Sequence, residues 1–337
     1  MRIVVVHNWV TAQDAPDARD VVIQADAVSA ALACLGHETT IISCSLDLEE
    51  IRHKLVEFKP DFVFNLVEDL GGHGRLIHLF PFLLDALGIA YSGSSAEAIL
   101  LSSHKTMAKE RMVHKGLPTP AWAGPYPPGG KLPSVQAKDC KWIIKSLWEH
   151  ASVGLDAGSV VKTDSVEVLE AEMRKRSAML GGACFAEEFI DGREFNLSLL
   201  AGEEGPEVLP PAEITFEGYD QDMVRIVDYQ AKWEESSYTY NHTPRRFDFP
   251  DEDLELLEQL RNIARRCWEI FSLAGYARVD FRVDRSGHPY ILEINANPCL
   301  SPDAGFSAAL ARAGIGFDEA LARIIADAKR NRLQQEN

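Results

Sequence analysis

Tyr276-Ala277-Arg278-Val279-Asp280-Phe281-Arg282-Val283-Asp284, followed by Ile291-Leu292-Glu293-Ile294-Asn295-Ala296-Asn297-Pro298, is the stretch on which the reading of this chain turns. Two runs of alternating apolar and polar residues flank Arg285-Ser286-Gly287-His288, so the sequence predicts two strands joined by a turn. With a side-chain period of two, Glu293 and Asn295 share one face, about 7 Å apart along the strand. Arg278 and Asp280 share a face of the first strand, while Val279, Phe281 and Ile294 point the other way, toward a core. Polar residues on one face of a hairpin are often merely solvated. Two acids, an amide and an arginine aimed to one side, with Pro298 ending the strand, also make an oxygen-rich set of the kind that hard Mg²⁺ takes. The hairpin alone leaves both readings open.

The bulk properties narrow the choice. The chain has 337 residues, enough for two or three compact lobes, with 46% hydrophobic and 25% charged residues, as in ordinary globular proteins. A net charge of −17 argues against a nucleic-acid partner, since phosphate backbones demand basic surface. No apolar run approaches the roughly 20 residues of a membrane span, and the opening run 1–6 is short enough to read as a core strand rather than a leader. Six cysteines, at 34, 44, 140, 184, 267 and 299, show no C-x-x-C spacing and fit free thiols in a reducing cytoplasm.

Strand and helix patterns alternate through the first hundred residues: strands at 2–6, 39–42, 61–67 and 89–91, helices at 21–35, 48–58 and 76–87. That order predicts a parallel sheet covered on both faces, with ligands beyond the carboxyl ends of its strands, near His7-Asn8-Trp9 and the run 68–74. A helix is expected at 105–115, a Pro- and Gly-rich linker at 120–133, a strand at 141–147, a loop at 148–158 and a helix at 165–180. Residues 184–190 and 194–200 read as antiparallel strands turning at Asp191-Gly192, and 208–215 as a continuation of their sheet. An irregular, aromatic-rich segment spans 219–249, and helices follow at 252–271, 306–313 and 317–330.

Several spaced motifs in order carry a resemblance over nearly the whole chain: Gly88-Ile89-Ala90-Tyr91-Ser92-Gly93, Lys105 with Gly116-Leu117-Pro118, Ile144-Lys145 with Ser152-Val153-Gly154, the run from Glu187 to Glu194, Val208-Leu209-Pro210, the run from Asp228 to Lys232, and the hairpin. On these the chain resembles ATP-grasp ligases, most of all the D-alanine–D-alanine ligases. The resemblance implies an α/β fold in three lobes: an N-terminal parallel α/β domain (1–102), a central ATP-grasp lobe (103–184) and a C-terminal lobe with the Mg²⁺ site (185–337). It implies that Lys105, Lys145 and Lys232 reach the phosphates of ATP, and that the Ser152-Val153-Gly154 loop folds over them. Glu187, Glu188 and Ile190 would hold the adenine and Glu194 the ribose hydroxyls. Asp280, Glu293 and Asn295 would hold two Mg²⁺ ions, and Arg278 would stabilise the oxyanion of the tetrahedral intermediate. Phosphoryl transfer of this kind relies on positioning and charge neutralisation, and segments 148–158 and 219–241 are expected to close over the nucleotide. The resemblance also implies a homodimer.

Departures cluster where the family binds its substrates. The glycine-rich turn after the first strand is His7-Asn8-Trp9-Val10, followed by an acidic stretch at 14–20. Glu68 or Asp69 stands near the family's histidine, and Trp233 stands for a tyrosine. Cys299 takes the place of a glycine and Ala304 that of a serine. The expected function is therefore ATP-dependent ligation of a carboxylate to an amine through an acyl phosphate, with small-molecule substrates other than two D-alanines. The acidic replacements point to a cationic group in one of them. Two other readings stand beside it: a D-alanine–D-alanine ligase with substituted residues, and a nucleotide-binding regulatory protein that performs no ligation. Nothing adjacent in sequence would activate a Cys299 thiolate.

Overall fold

The computed structural model describes residues 1–127 and 140–335. The chain opens with β1 (Arg2–Asn8), α1 (Pro16–Cys34), β2 (Glu38–Cys44), α2 (Leu48–Phe58), β3 (Phe62–Leu66) and α3 (Leu79–Leu87). The three strands pair in parallel in the order β2-β1-β3, with Val4 between Thr40 and Val63. Fully buried Val4, Val6 and Val63 face Ile51, Leu55, Phe80 and Leu84 on one side of this sheet. Ile3, Val5, Phe62 and Phe64 face α1 on the other. Burial on both faces is why these strands read as continuous apolar runs. The expected strand at 89–91 is reduced to a single parallel bridge between Val63 and Tyr91. The first helix begins earlier than its apolar spacing suggested, because Pro16 sits in its first turn, where a missing N–H does no harm.

Two helices, α4 (Ala96–Ser103) and α5 (Lys105–His114), lead into a four-stranded antiparallel sheet. Its members are β4 (Trp122–Tyr126), β5 (Lys141–Ser146), β6 (Val160–Lys162) and β7 (Cys184–Glu188), in the order β4-β7-β5-β6, backed by α6 (Val166–Ser177). The Pro- and Gly-rich stretch expected as a linker thus begins with a strand, and its later part, from 128 on, lies outside the described residues.

A six-stranded sheet carries the rest: β8 (Gly192–Ala201), β9 (Pro206–Val208), β10 (Ala212–Ile214), β11 (Arg245–Arg246), β12 (Tyr276–Asp284) and β13 (Pro289–Asn295). Its order is β11-β10-β8-β12-β13, with β9 on β8. Short helices α7 (Tyr229–Trp233) and α8 (Tyr238–Asn241) interrupt the segment expected to be irregular, and α9 (Leu254–Ile270), α10 (Gly305–Ala313) and α11 (Phe317–Gln335) complete the chain. Phe195, Leu197, Val279, Phe281 and Ile294 form a core with α9 on one face, and α10 and α11 close a second core shared with α1.

One expectation fails here. β7 and β8 do not form a hairpin: β7 pairs with β4 and β5, and β8 with β9, β10 and β12. Residues 189–191 carry the chain from one sheet to the other. Asp191-Gly192 has the composition of a hairpin turn, but each strand finds a larger apolar partner elsewhere. Among the described residues no helix is long and apolar enough to cross a membrane.

Candidate active site

The two antiparallel sheets enclose a cleft of about 820 Å³ including its open mouth. One wall is the polar face of β12 and β13. Arg278 pairs with Asn295 and Asp280 with Glu293 across the hairpin, which puts the four predicted side chains on one surface. β8 extends that surface: its Ser198, Asn196 and Glu194 lie opposite Arg278, Asp280 and Arg282. Phe195 and Leu197 between them are fully buried, so the alternation Glu194-Phe195-Asn196-Leu197-Ser198 sets the face. Arg278 holds Asp280 through two bonds of 2.7 and 2.9 Å, and Asn196 Nδ2 donates to Asp280 Oδ1 at 2.8 Å. Glu194 pairs with the buried Arg282 at 2.7 Å. Asn196 and Arg282 were not singled out from the sequence, although their place in the alternation marks them.

The opposite wall supplies lysines. Lys105 and Lys109, one helical turn apart on α5, are both buried, as are Ala108 and Met112 on the same face. Glu187 is fully buried between Lys109 and Lys145, whose Nζ lies 2.7 Å from its carboxylate. Burial pushes the Glu187 carboxyl up, but the two lysines outweigh that and hold it below the ordinary range. Lys105 Nζ donates to the Glu149 carbonyl at 2.8 Å and lies 3.8 Å from Glu293. Lys232, on α7, lines the same cleft, and burial lowers the pKa of both Lys105 and Lys232. Glu188 and Ile190 line it at the crossing between the sheets.

His150, which the sequence reading passed over, donates a 2.7 Å bond from Nδ1 to Glu293 Oε1. Burial would raise the Glu293 carboxyl, but Lys105, His150 and Lys232 keep it well below its usual value. The loop carrying His150 is stitched to its surroundings. Ala151 and Ser152 adopt left-handed φ of 59° and 63°, a conformation that costs non-glycine residues about 1–3 kcal/mol and collects at functional sites. Ser152 Oγ donates to the Val227 carbonyl at 2.8 Å, Trp233 Nε1 to the Ala151 carbonyl at 3.1 Å, and Val153 N–H to the His150 carbonyl at 3.2 Å. Gly154 follows with φ of 71°. Glu149 accepts from Gly74 N–H at 3.3 Å, which ties the loop to the first lobe as well. A Cβ on Gly74 would meet that carboxylate at 2.9 Å.

None of the predicted substrate residues lines this cleft, although Trp233 is bonded to the loop beside it. Glu68 and Asp69 follow β3, where Gln24 Nε2 donates to Glu68 at 2.8 Å and Asn8 Nδ2 to Asp69 at 2.9 Å. Burial, with Asp20, Asp69 and Asp17 adding to it against the Gln24 bond, pushes Glu68 up to about 7, and Asp69 is raised as well. Cys299 donates to Asp20 at 2.9 Å, and burial beside Glu68 and Asp20 drives its thiol far above the ordinary value. Ala304 caps α10, and Trp9 is 58% exposed. Among the described residues no three His, Cys, Asp or Glu side chains converge into a ready-made metal site. The hairpin set is two carboxylates and one amide.

Comparison with known proteins agrees with this architecture. Residues 137–326 match the family described as D-ala D-ala ligase C-terminus. A D-alanine–D-alanine ligase of Gloeobacter violaceus is 30% identical over 93% of this chain and 95% of its own. One from Moorella thermoacetica is 29% identical over 89% and 91%. The crystal structure of D-alanine–D-alanine ligase from Bacillus anthracis complexed with ATP superposes with a TM-score of 0.75 at 20% identity, over 99% of both chains.

Proposed function

The chain belongs to the D-alanine–D-alanine ligase family of ADP-forming ATP-grasp ligases, and from that premise we propose that it joins an amino-acid-type carboxylate to an amine, turning ATP into ADP and phosphate. The observation that carries this reading is the cleft between the two antiparallel sheets, where Lys105, Lys145 and Lys232 face the carboxylates of the hairpin. Such an arrangement suits a polyphosphate, which needs cations held in place before it arrives. Glu188 and Ile190 would border the adenine and Glu194 the ribose. Glu187 acts on the nucleotide through Lys109 and Lys145, which it anchors.

Asp280, Glu293 and Asn295 offer hard oxygen donors at neighbouring register positions, and Glu293 is held ionised, so the set fits Mg²⁺. When bound with the nucleotide, two such ions would offset phosphate charge. The chain's own part is to position. Arg278, fixed by its fork on Asp280, presents a cation where an oxyanion would develop. Ser152 and Trp233 tie the phosphate-side loop to the segment after β10, which keeps water from the transferred group.

Relatives named D-alanine–D-alanine ligase make D-alanine the first substrate to try. The changed residues Trp9, Glu68, Asp69, Trp233, Cys299 and Ala304 favour a different pair. The experiment is phosphate release over pairs of amino acids in both configurations, with ATP and Mg²⁺. ADP formation that requires both an acid and an amine is expected. ATP binding with no turnover for any pair would reduce the protein to a nucleotide binder.

A further inference from the structure

Lys145 reaches the nucleotide cleft from β5, but its Nζ lies 2.7 Å from Glu187 Oε1. A one-to-one pair of this kind is close to neutral toward an incoming phosphate. Lys109 changes the balance. It is 1% exposed on α5 and is not part of the cleft lining. Its ammonium pairs with Oε2, the other oxygen of the fully buried Glu187. Two cations thus share one carboxylate, and the cluster as a whole keeps a positive charge.

The surroundings suit Lys109 as a cation. An ammonium has three protons, and its Nζ meets three electron-rich groups: Glu187 Oε2, Thr119 Oγ1 at 2.6 Å, and the Trp122 ring, whose centroid is 5.8 Å away. Thr119 donates its own proton to the Ile291 carbonyl at 2.9 Å, so it accepts from Lys109. Burial lowers the Lys109 pKa, and the Glu187 carboxylate acts against that. An apolar side chain of similar length would fill this space without the cost of enclosing a charge, and Glu187 and Lys145 would still balance each other. Packing alone does not call for the second cation.

We propose that Lys109 is a positioning residue for the nucleotide, an inference that rests on the reading of the cleft given above. By taking one oxygen of Glu187 it leaves Lys145 uncompensated, so that Lys145 meets the phosphates as a cation. Lys109 acts on the ligand through Glu187 and Lys145 without touching it.

The test is the ratio of ADP to adenosine affinity, read by competition calorimetry without Mg²⁺. The phosphates then meet only the protein's cations, and contacts to base and ribose cancel. Lys109→Met leaves a balanced Glu187–Lys145 pair and should lower the ratio roughly tenfold, because a charge in a poorly screened site acts strongly on a polyanion. Lys109→Met combined with Glu187→Gln leaves Lys145 alone with its charge and should return the ratio to within about threefold of wild type. A second change in the same core would not restore lost packing, so this recovery separates charge from structure. Lys109→Gln, which can still donate to Thr119, should match Lys109→Met and carries the test if the methionine variant does not fold. A ratio that neither neutral variant lowers, or a double variant as weak as Lys109→Met, overturns the inference. Wild-type protein that binds ADP no tighter than adenosine overturns it too. Because only binding is read, a protein that meets these expectations yet releases no phosphate with any substrate pair keeps the inference and loses the ligase reading.

Discussion

In the cleft between the sheets, Glu187 touches two lysines, Glu293 meets His150 and Lys105, and Asp280 is clasped by Arg278. At the carboxyl ends of β1 and β3, Glu68 leans on the amide of Gln24, Asp69 on that of Asn8, and Asp20 on a hydroxyl and a thiol. The consequence is opposite in sign. Cations hold Glu187 and Glu293 below their usual pKa, whereas Glu68 and Asp69 are raised by burial, with nearby aspartates adding to it. One region is built around cations kept ready for an anionic ligand. The other concentrates negative charge that a cationic ligand would complete.

The harshest way to break this comparison is to remove a cleft carboxylate. Glu187→Gln strands the buried ammonium of Lys109 and the part-buried one of Lys145, and taking one partner from a buried pair costs about 3–5 kcal/mol. Urea denaturation within about 1 kcal/mol of wild type would show that the pairing is not what stabilises the cleft.

Glu293→Gln should lower ATP turnover by roughly 10²–10³, since electrostatic groups at such sites are worth about 2.7–4 kcal/mol. The near-isosteric change should leave the hairpin folded. The comparison variant is Glu57→Gln, exposed on α2. Unimpaired turnover by Glu293→Gln with the best substrate pair would remove Glu293 from the phosphate machinery.

A gentler effect comes from Glu68. Its folded pKa of about 7 exceeds the ordinary value of 4.5, so the native state holds its proton more tightly than the unfolded chain. Stability from this group is unaffected below about pH 4.5, falls as pH rises toward 7, and stays reduced above that. The penalty is at most about 3 kcal/mol. Glu68→Gln should abolish that slope and be no less stable than wild type at pH 8, seen as a difference between two denaturation series. A variant clearly less stable at pH 8 would mean that the Glu68 charge is favourably held, as in the cleft.

The smallest effect is expected at Cys299. Its raised thiol is a poor nucleophile, and a serine hydroxyl can also donate to Asp20. Cys299→Ser should keep turnover within about threefold, and alkylating reagents should reach the exposed Cys34 first. A turnover loss of a hundredfold would give the sulfur a role that its surroundings do not suggest.

Local pattern alone determined a good deal of this protein. The period-two alternation in 276–295 fixed the hairpin, its turn and which residues share its polar face, because a strand sends successive side chains to opposite sides. The helix at Leu48–Phe58 was legible to the residue, since Asp47 caps it and its apolar stripe is regular. Long-range pairing was not legible. Sequence placed 184–190 beside 194–200 because a turn-like Asp-Gly lies between them, but strand partners are chosen by apolar surface and hydrogen-bond register far along the chain. Burial of Glu187 among lysines, His150 against Glu293, and the meeting of Asp20 with Cys299 and Ser301 likewise join residues from 42 to 281 positions apart. No local signal encodes such contacts. They arise when three sheets pack and charges enclosed between them must find partners, and tertiary structure alone decided which carboxylates would be neutralised from within and which would wait for a ligand.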